Sequence, residues 1–320
     1  MIAPPSGSTA SRLDIVIVNY ETPDLVDDSL RSIAELAPAI LGDVIVVDNS
    51  ADAGAAESAV RRHPYARLVR PGSNVGYGAG ANKGVAAGAA EYVLVLNADA
   101  RLHGGAVEAL VADLERHPGA GIAGPRLVDI NGVPQASCSR FPTAGRLMMH
   151  ETGLWKLWRS SRFVDRLAPF FDPGVAATVP CVLGAALCIR RRDFESVGGF
   201  DPDYFMYYEE VDLCRRLLDT GVVTRFVPSA TVGHIGAAST AAHHSAMQRE
   251  MLRSLARYTR RDDPDRRLLR LRAAAIVVAT GWLARDVLLG RGPSGRFDLR
   301  RSGALWRAVV GDALAGWRRV

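Results

Sequence analysis

Along the first hundred residues, apolar and polar positions fall into blocks that predict a layered α/β domain. Residues 13–18 (LDIVIV) form a β-branched run, and residues 44–48 (VIVVD) form a second one closed by an acid. Between them Leu25, Leu30, Ile33 and Leu36 recur at helical spacing, behind Thr22 as a cap and Pro23 at a first helical position. Residues 67–70 predict a third strand, a Gly/Ala-rich helix follows, and residues 92–96 predict a fourth strand. Strands alternating with helices in such short order predict a mostly parallel sheet with helices on both faces. Such sheets bind ligands at the carboxyl ends of their strands. Asn19-Tyr20, Asp48, residues 74–83 and residues 97–99 are therefore expected to meet in one crevice.

Beyond this half the pattern weakens. Residues 126–180 scatter Trp155, Trp158, Phe163, Phe170 and Phe171 among polar positions with poor periodicity. Regularity returns with a predicted strand at 182–189, a short turn or helix from Asp193, a helix over 208–220 closed by Gly221, and a last strand at 222–227 before Pro228. The pattern divides the chain into a disordered leader (1–12), an α/β domain (13–240) and a basic, apolar helical extension (241–320). The leader is rich in Pro, Ser and Gly and has no apolar core of a signal peptide, which predicts a cytoplasmic protein.

Charge sharpens the last boundary. The net charge is +5, yet residues 249–320 carry 17 arginines against 7 acids, a surplus of ten that leaves the preceding part at minus five. Within this tail, residues 273–284 are apolar but closely bounded by Arg272 and Arg285-Asp286, too short for a spanning helix of ~20 residues. Arginines on both sides, with Trp282, Trp306 and Trp317, suggest segments lying on an anionic membrane surface. The competing reading is a helical cap folded on the domain. No stacking motif or reader fold accompanies the arginines, so nucleic acid is not an expected partner. The 48% hydrophobic composition is that of a globular protein with a sizeable core, and four cysteines without C-x-x-C spacing predict reduced, structural thiols.

Three stretches carry candidate chemistry. Gly76-Tyr77-Gly78 begins a glycine-rich segment, but a dinucleotide fingerprint would need glycine where Ala81 stands. The segment is either a helix start packed tightly on the sheet or a loop whose N–H groups approach a diphosphate. In the second case Asn74 and Asn82 would orient the nucleotide, and Lys83 would be either a further contact or a surface charge. Glu209, Glu210 and Asp212 share one helical turn after an aromatic run. Acids favour a helix N-terminus, and one held near apolar rings can also serve as a general base. His234 would pass for a satisfied buried histidine, but paired with Asp99 at a strand end it becomes a candidate ligand for Mn²⁺ or Mg²⁺.

In chain order, IVIVNYETPDLVDDSLRSI, VIVVDNS, NVGYGAGANKG, VLVLNADARL, GPRL, VLGAALCIRRRDFESVGGFDPDYFMYYEEVDLCRR and the His234 segment resemble family-two glycosyltransferases of the GT-A fold, in particular the bacterial rhamnosyltransferase-like branch. The resemblance covers roughly residues 13–240. It implies a Rossmann-like GT-A domain, with the helical extension added, that moves a sugar with inversion from a nucleoside diphosphate (dTDP or UDP) to a saccharide acceptor. By that resemblance Asp48 contacts the base or ribose beside Asn19 and Tyr20. Asn97-Ala98-Asp99 stands at the D-x-D-like motif, with Asn74, Gly76, Asn82 and Asn97 on the donor and Asp99 and His234 on the metal. Glu209-Glu210 stands at the acidic pair whose second member is the base, which ranks Glu210 first, Glu209 second and Asp212 third. Glutamate where aspartate is common extends the carboxylate by ~1.5 Å, enough to matter in catalysis.

Gly184 and Ala185 would let the acceptor approach, or would simply be small packing residues, and Trp155, Trp158 and Phe205 could stack on it. The branch favours L-rhamnose from dTDP-rhamnose, with galactofuranose, mannose or glucose as alternatives, and a polyprenyl-diphosphate-linked or soluble acceptor in cell-wall or surface-polysaccharide synthesis. The enzyme is then expected at the inner face of the cell membrane. A non-catalytic nucleotide-sugar binding module is the rival from another class. It would be marked by loss of Asp99 or of the acidic pair, and both are present.

Overall fold

The computed structural model describes residues 12–36, 40–152, 168–236, 244–262, 266–289 and 299–315. The strands in chain order are β1 (Leu13–Asn19), β2 (Leu41–Asp48), β3 (Ala66–Val69), β4 (Tyr92–Asn97), β5 (Ala100–Leu102), β6 (Ala120–Val128), β7 (Cys138–Ser139), β8 (Phe170–Phe171), β9 (Ala177–Val179), β10 (Cys181–Val182), β11 (Ala186–Arg190) and β12 (Val223–His234). The central sheet runs β3-β2-β1-β4-β11-β6-β12-β5, with β9 beside β12. Its first half is parallel, as the alternation of strands and helices predicts, and β11 enters antiparallel between β4 and β6.

All seven residues of β1 are buried. Successive side chains go to opposite faces, so Ile15 and Ile17 join one core with Val26, Leu30 and Ile33 of α1 (Pro23–Leu36), while Val16 and Val18 join another with Ala81 and Val85 of α3 (Tyr77–Ala87). Strands buried on both sides become continuous apolar runs, which is why these read clearly. The buried face of α1 is rotated from the expected one, leaving Leu25 to line a cavity. α2 (Ala53–Arg61) and α4 (Ala106–Arg116) complete this half.

Two expected strands differ. The run 182–189 splits because Leu183 N–H bonds Ser137 O, holding β10 against β7, while Ala185 O takes the Asn97 N–H and leads β11 to β4. The chain changes sheets at Gly184. The last strand does not stop at Pro228 but continues to His234, with its register on β6 shifting between Val227 and Thr231. Such an irregularity accommodates a residue with no N–H to donate.

The remaining helices are α5 (Ala144–Thr152), α6 (Arg191–Ser196), α7 (Glu209–Asp219), α8 (His244–Asp262), α9 (Arg266–Leu289) and α10 (Leu299–Leu314). The last three form a third core in which Leu252, Leu255, Ala275, Trp282, Leu305 and Val309 pack together with Leu147 of α5. Ser254 Oγ donates to Met206 O, and Arg257 pairs with Asp203, so the extension caps the domain beside residues 203–208. Among the described residues no helix is long and apolar enough to cross a membrane. Residues 1–11, Trp155, Trp158, Phe163 and Trp317 lie outside the described residues. The four cysteines are free and buried.

Candidate functional site

The carboxyl ends of β1, β2 and β4 open on a cavity of about 470 Å³ lined by Asn19, Tyr20, Asn49, Asn74, Tyr77, Asn97, Asp99, Phe205, Tyr207 and His234, among others. Asn19 organises one end. Its Nδ2 donates to Asp48 Oδ1 at 2.8 Å and to Ser50 Oγ at 3.2 Å, while its Oδ1 accepts from the Thr22 hydroxyl at 2.9 Å. Asp48 lies one step behind the cavity wall, 4% exposed, and its Oδ2 has no hydrogen-bond partner. Asn49 Oδ1 is also without one. A buried acceptor with no donor costs about 1–3 kcal/mol, and two at one strand end leave this wall of the cavity with unmet acceptors.

At the other end β5 pairs antiparallel with β12, setting His234 opposite Ala100 and so beside Asp99. His234 Nε2 lies 3.5 Å from Asp99 Oδ1 and 3.5 Å from Asn97 Nδ2, and Asp99 Oδ2 accepts from the Gly236 N–H at 3.1 Å. The pair offers one carboxylate oxygen and one imidazole nitrogen to the cavity, a donor set that suits Mn²⁺ or Mg²⁺. Among the described residues no cluster of three or more His, Cys, Asp or Glu gathers, so other oxygens would have to complete such a coordination.

The acids of α7 stand across Tyr77. Tyr77 OH donates to Gly184 O at 2.9 Å, and burial, then Glu209, Glu210 and Asp99, hold its phenol well above the usual range. Glu209 is 5% exposed, its Oε2 has no partner, and burial followed by the adjacent Glu210 pushes its carboxyl far up. Burial likewise pushes Glu210 up to about 7, against the opposing pull of the Glu210 and Val211 N–H groups. The approach to this helix is strained, since Tyr207 and Tyr208 have φ of 68° and 67°, a left-handed conformation that non-glycine residues adopt at a cost of order 1–3 kcal/mol. A carboxyl poised near neutrality can accept a proton from a hydroxyl. Asp212 is different, being buried but bonded to Arg216 at 2.6 Å and Arg261 at 2.9 Å.

Several expected contacts are built otherwise. Asn82 uses both ends of its amide on Phe200, donating to its O at 2.7 Å and accepting from its N at 2.9 Å, so it clamps the 200 segment instead of facing the cavity. Gly76, with φ of 88°, is needed because a Cβ there would lie 2.3 Å from Phe205 O, and Gly84 because a Cβ would lie 2.3 Å from Val16 Cγ1. The glycines thus pack α3 on the sheet and on Phe205, Gly76 also lines the cavity, and Lys83 is exposed. Asn74 Oδ1 accepts from Gly76 N at 3.0 Å at the cavity rim. Ala185 is 4% exposed in the core, and Gly184 faces Glu210, whose carboxyl carbon would be 3.7 Å from an added Cβ. Sequence reasoning passed over Tyr77 and Asn49 as site residues, although both border stretches singled out for chemistry.

A family model described as "Glycosyltransferase like family 2" matches residues 11–254. The chain belongs to this glycosyltransferase family. It is 35% identical over 257 residues to the N-acetylglucosaminyl-diphospho-decaprenol L-rhamnosyltransferase of Mycobacterium tuberculosis, an alignment covering 73% of this chain and 82% of that one. Among solved structures this glycosyltransferase resembles the mannosyltransferase PcManGT from Pyrobaculum calidifontis in complex with GDP-Man and Mn²⁺, with TM-score 0.57 and 18% identity over 95% of this chain and 87% of that one. It also resembles GalNAc-T7 with UDP, GalNAc and Mn²⁺, with TM-score 0.56 and 16% identity over 81% of this chain and 52% of that one. The shared architecture is the GT-A fold, a mostly parallel sheet flanked by helices, with extra helices at the C-terminus here.

Proposed function

We propose that this glycosyltransferase moves L-rhamnose from dTDP-rhamnose, with inversion, to a polyprenyl-diphosphate-linked saccharide in the synthesis of a cell-wall or surface polysaccharide. The observation that carries the reading is a pair of adjacent carboxyls, Glu209 buried and Glu210 half-buried at a cavity, both raised in pKa and set beside Tyr77, which borders the cavity of Asp99 and His234. The rhamnosyl donor and lipid-linked acceptor are taken from the relative's name.

In this reading Asn19, Tyr20, Asn49 and Asp48 receive the nucleoside, the orphaned oxygens of Asp48 and Asn49 accepting its donors. Asp99 and His234 would hold Mn²⁺ or Mg²⁺, and Asn97, beside them in the cavity, would turn its amide to the donor. The ion, when bound, offsets charge building on the departing diphosphate. Glu210 accepts the acceptor hydroxyl's proton on the face opposite the leaving group, which gives inversion without a covalent nucleophile. Glu209, deeper and kept protonated by burial, leaves a single negative charge in the pair. The enzyme works at the inner face of the membrane, where Leu269, Val277 and Leu288 of α9, exposed among arginines, meet the lipid surface.

The test is transfer from a panel of nucleotide sugars with Mn²⁺ and Mg²⁺, comparing wild type with Asp99→Ala and Glu210→Ala. Both variants should lose at least ~100-fold in turnover, with dTDP-rhamnose the best donor of wild type. Full turnover by both would overturn the assignment.

A further inference from the structure

A second cavity, of about 210 Å³, adjoins the first, and Tyr207 lines both. Glu210 lines this second cavity, so a hydroxyl that reaches the Glu210 carboxyl comes from an acceptor lodged there. Arg140 and Arg146 also line it, with Leu147, Met251 and Leu255 as apolar lining.

Arg146 is the unusual member. Its Nη1 donates to Phe141 O, its Nε is buried with no hydrogen-bond partner, and among the described residues no carboxylate lies within ion-pairing distance of it. Burial and the charge of Arg140 both lower its pKa, so the fold holds two like charges close together in a partly apolar recess. Arg140 is itself stacked on the Phe171 ring, 4.4 Å from its centre. Other arginines of comparable burial are matched: Arg216 meets Asp212 and Val197 O, Arg191 meets Asp14, and Arg225 meets Asp113. A guanidinium presents donors in a fork that fits phosphate oxygens, and an anion between the two arginines would relieve their repulsion.

We propose that this cavity is the acceptor's anion cradle, in which Arg146, supported by Arg140, holds the phosphate next to the saccharide of a diphosphate-linked acceptor and so delivers the sugar hydroxyl to Glu210. The proposal rests on the glycosyltransferase reading above for its acceptor, whereas the anion site itself does not. Leu147, Met251 and Leu255 would lie along the first carbons of the lipid chain.

The full-length protein is titrated calorimetrically with inorganic diphosphate in the presence of a chelator, so that no metal bridges the anion to the first cavity. Arg146→Ala and Arg146→Gln should each weaken binding by roughly 10-fold to 100-fold, as loss of a hydrogen bond to a charged group does, while Arg146→Lys stays within a few-fold of wild type. The glutamine variant keeps most of the side chain's length should the alanine variant fold poorly. Wild-type binding by both would overturn the proposal. This arm needs no turnover, so it stands even where wild type transfers no sugar and the functional reading falls. In a second arm, kcat/KM is compared for one saccharide carried on a short prenyl diphosphate and on an uncharged alkyl chain. The ratio should fall by roughly 10-fold to 100-fold in Arg146→Ala; an equal fall on both acceptors would contradict the proposal. Loss of binding to phosphatidylglycerol vesicles with that ratio unchanged would assign the site to a lipid headgroup and overturn it too.

Discussion

Asp212 and the pair Glu209–Glu210 occupy one turn of the same helix, Asp212 and Glu209 buried and Glu210 half-buried at a cavity, yet they are opposite kinds of acid. Asp212, 1% exposed, lies between Arg216 and Arg261, with its two oxygens in separate ion pairs. Among the described residues Glu209 and Glu210 form no ion pair, and burial pushes their carboxyls upward. Burial of a charge is therefore no sign of chemistry by itself. A buried carboxylate with partners ties elements together, here α7 to α8, whereas Glu210, raised to about 7, can exchange its proton near neutrality. The arginines divide the same way, with Arg216 matched by Asp212 and Arg146 facing a cavity.

The largest effect should separate the two kinds by function. Glu210→Gln keeps the shape and removes the base, so transfer should drop about 1,000-fold while donor affinity, measured by calorimetry, changes little. Asp212→Asn should do the reverse. Leaving Arg216 without its counter-charge in a nearly closed site should cost about 3 kcal/mol in a denaturant titration, with turnover per folded molecule close to wild type. A large loss of turnover at unchanged stability would put Asp212 back among the catalytic candidates.

The smallest of these effects is on stability against pH. A carboxyl whose folded pKa is raised favours the protonated folded state, so its unfavourable contribution is absent below the ordinary value of 4.5, grows from there up to the folded value, about 7 for Glu210, and is constant above it. The unfolding midpoint should therefore fall across that window, and Glu209→Gln should flatten the fall. An unchanged slope would mean that Glu209 ionises in the folded protein as easily as in water.

How much of this was legible follows from the same physics. Strands buried on both faces advertise themselves as apolar runs, so β1, β2 and β4 and the strand-end positions of Asn19, Asp48 and Asp99 were readable, as was the α7 cluster. The pairing of Asp99 with His234 was also expected, but not the means by which it is made, a three-residue strand, β5, that pairs with the end of a strand that a proline seemed to close. Asn82 misled because an amide clamping a backbone looks in sequence like an amide waiting for a ligand. Arg140 and Arg146 lay hidden in the aperiodic stretch 126–180, where the described elements, short strands and α5, leave no repeat to read. The apolar tail segment read equally as membrane surface or cap, and its packing on α5 emerges only once Leu147 and Trp282 share a core.

The central claim is that the acid pair, and Glu210 within it, takes the acceptor's proton. It is tested most directly by following kcat/KM for sugar transfer against pH in wild type and in Glu210→Gln. The account predicts a wild-type rate that rises with pH to a plateau, with the pair titrating at an apparent pKa near 7, and a variant whose much lower rate has lost that rising limb. A variant that keeps both the wild-type rate and the limb would contradict it.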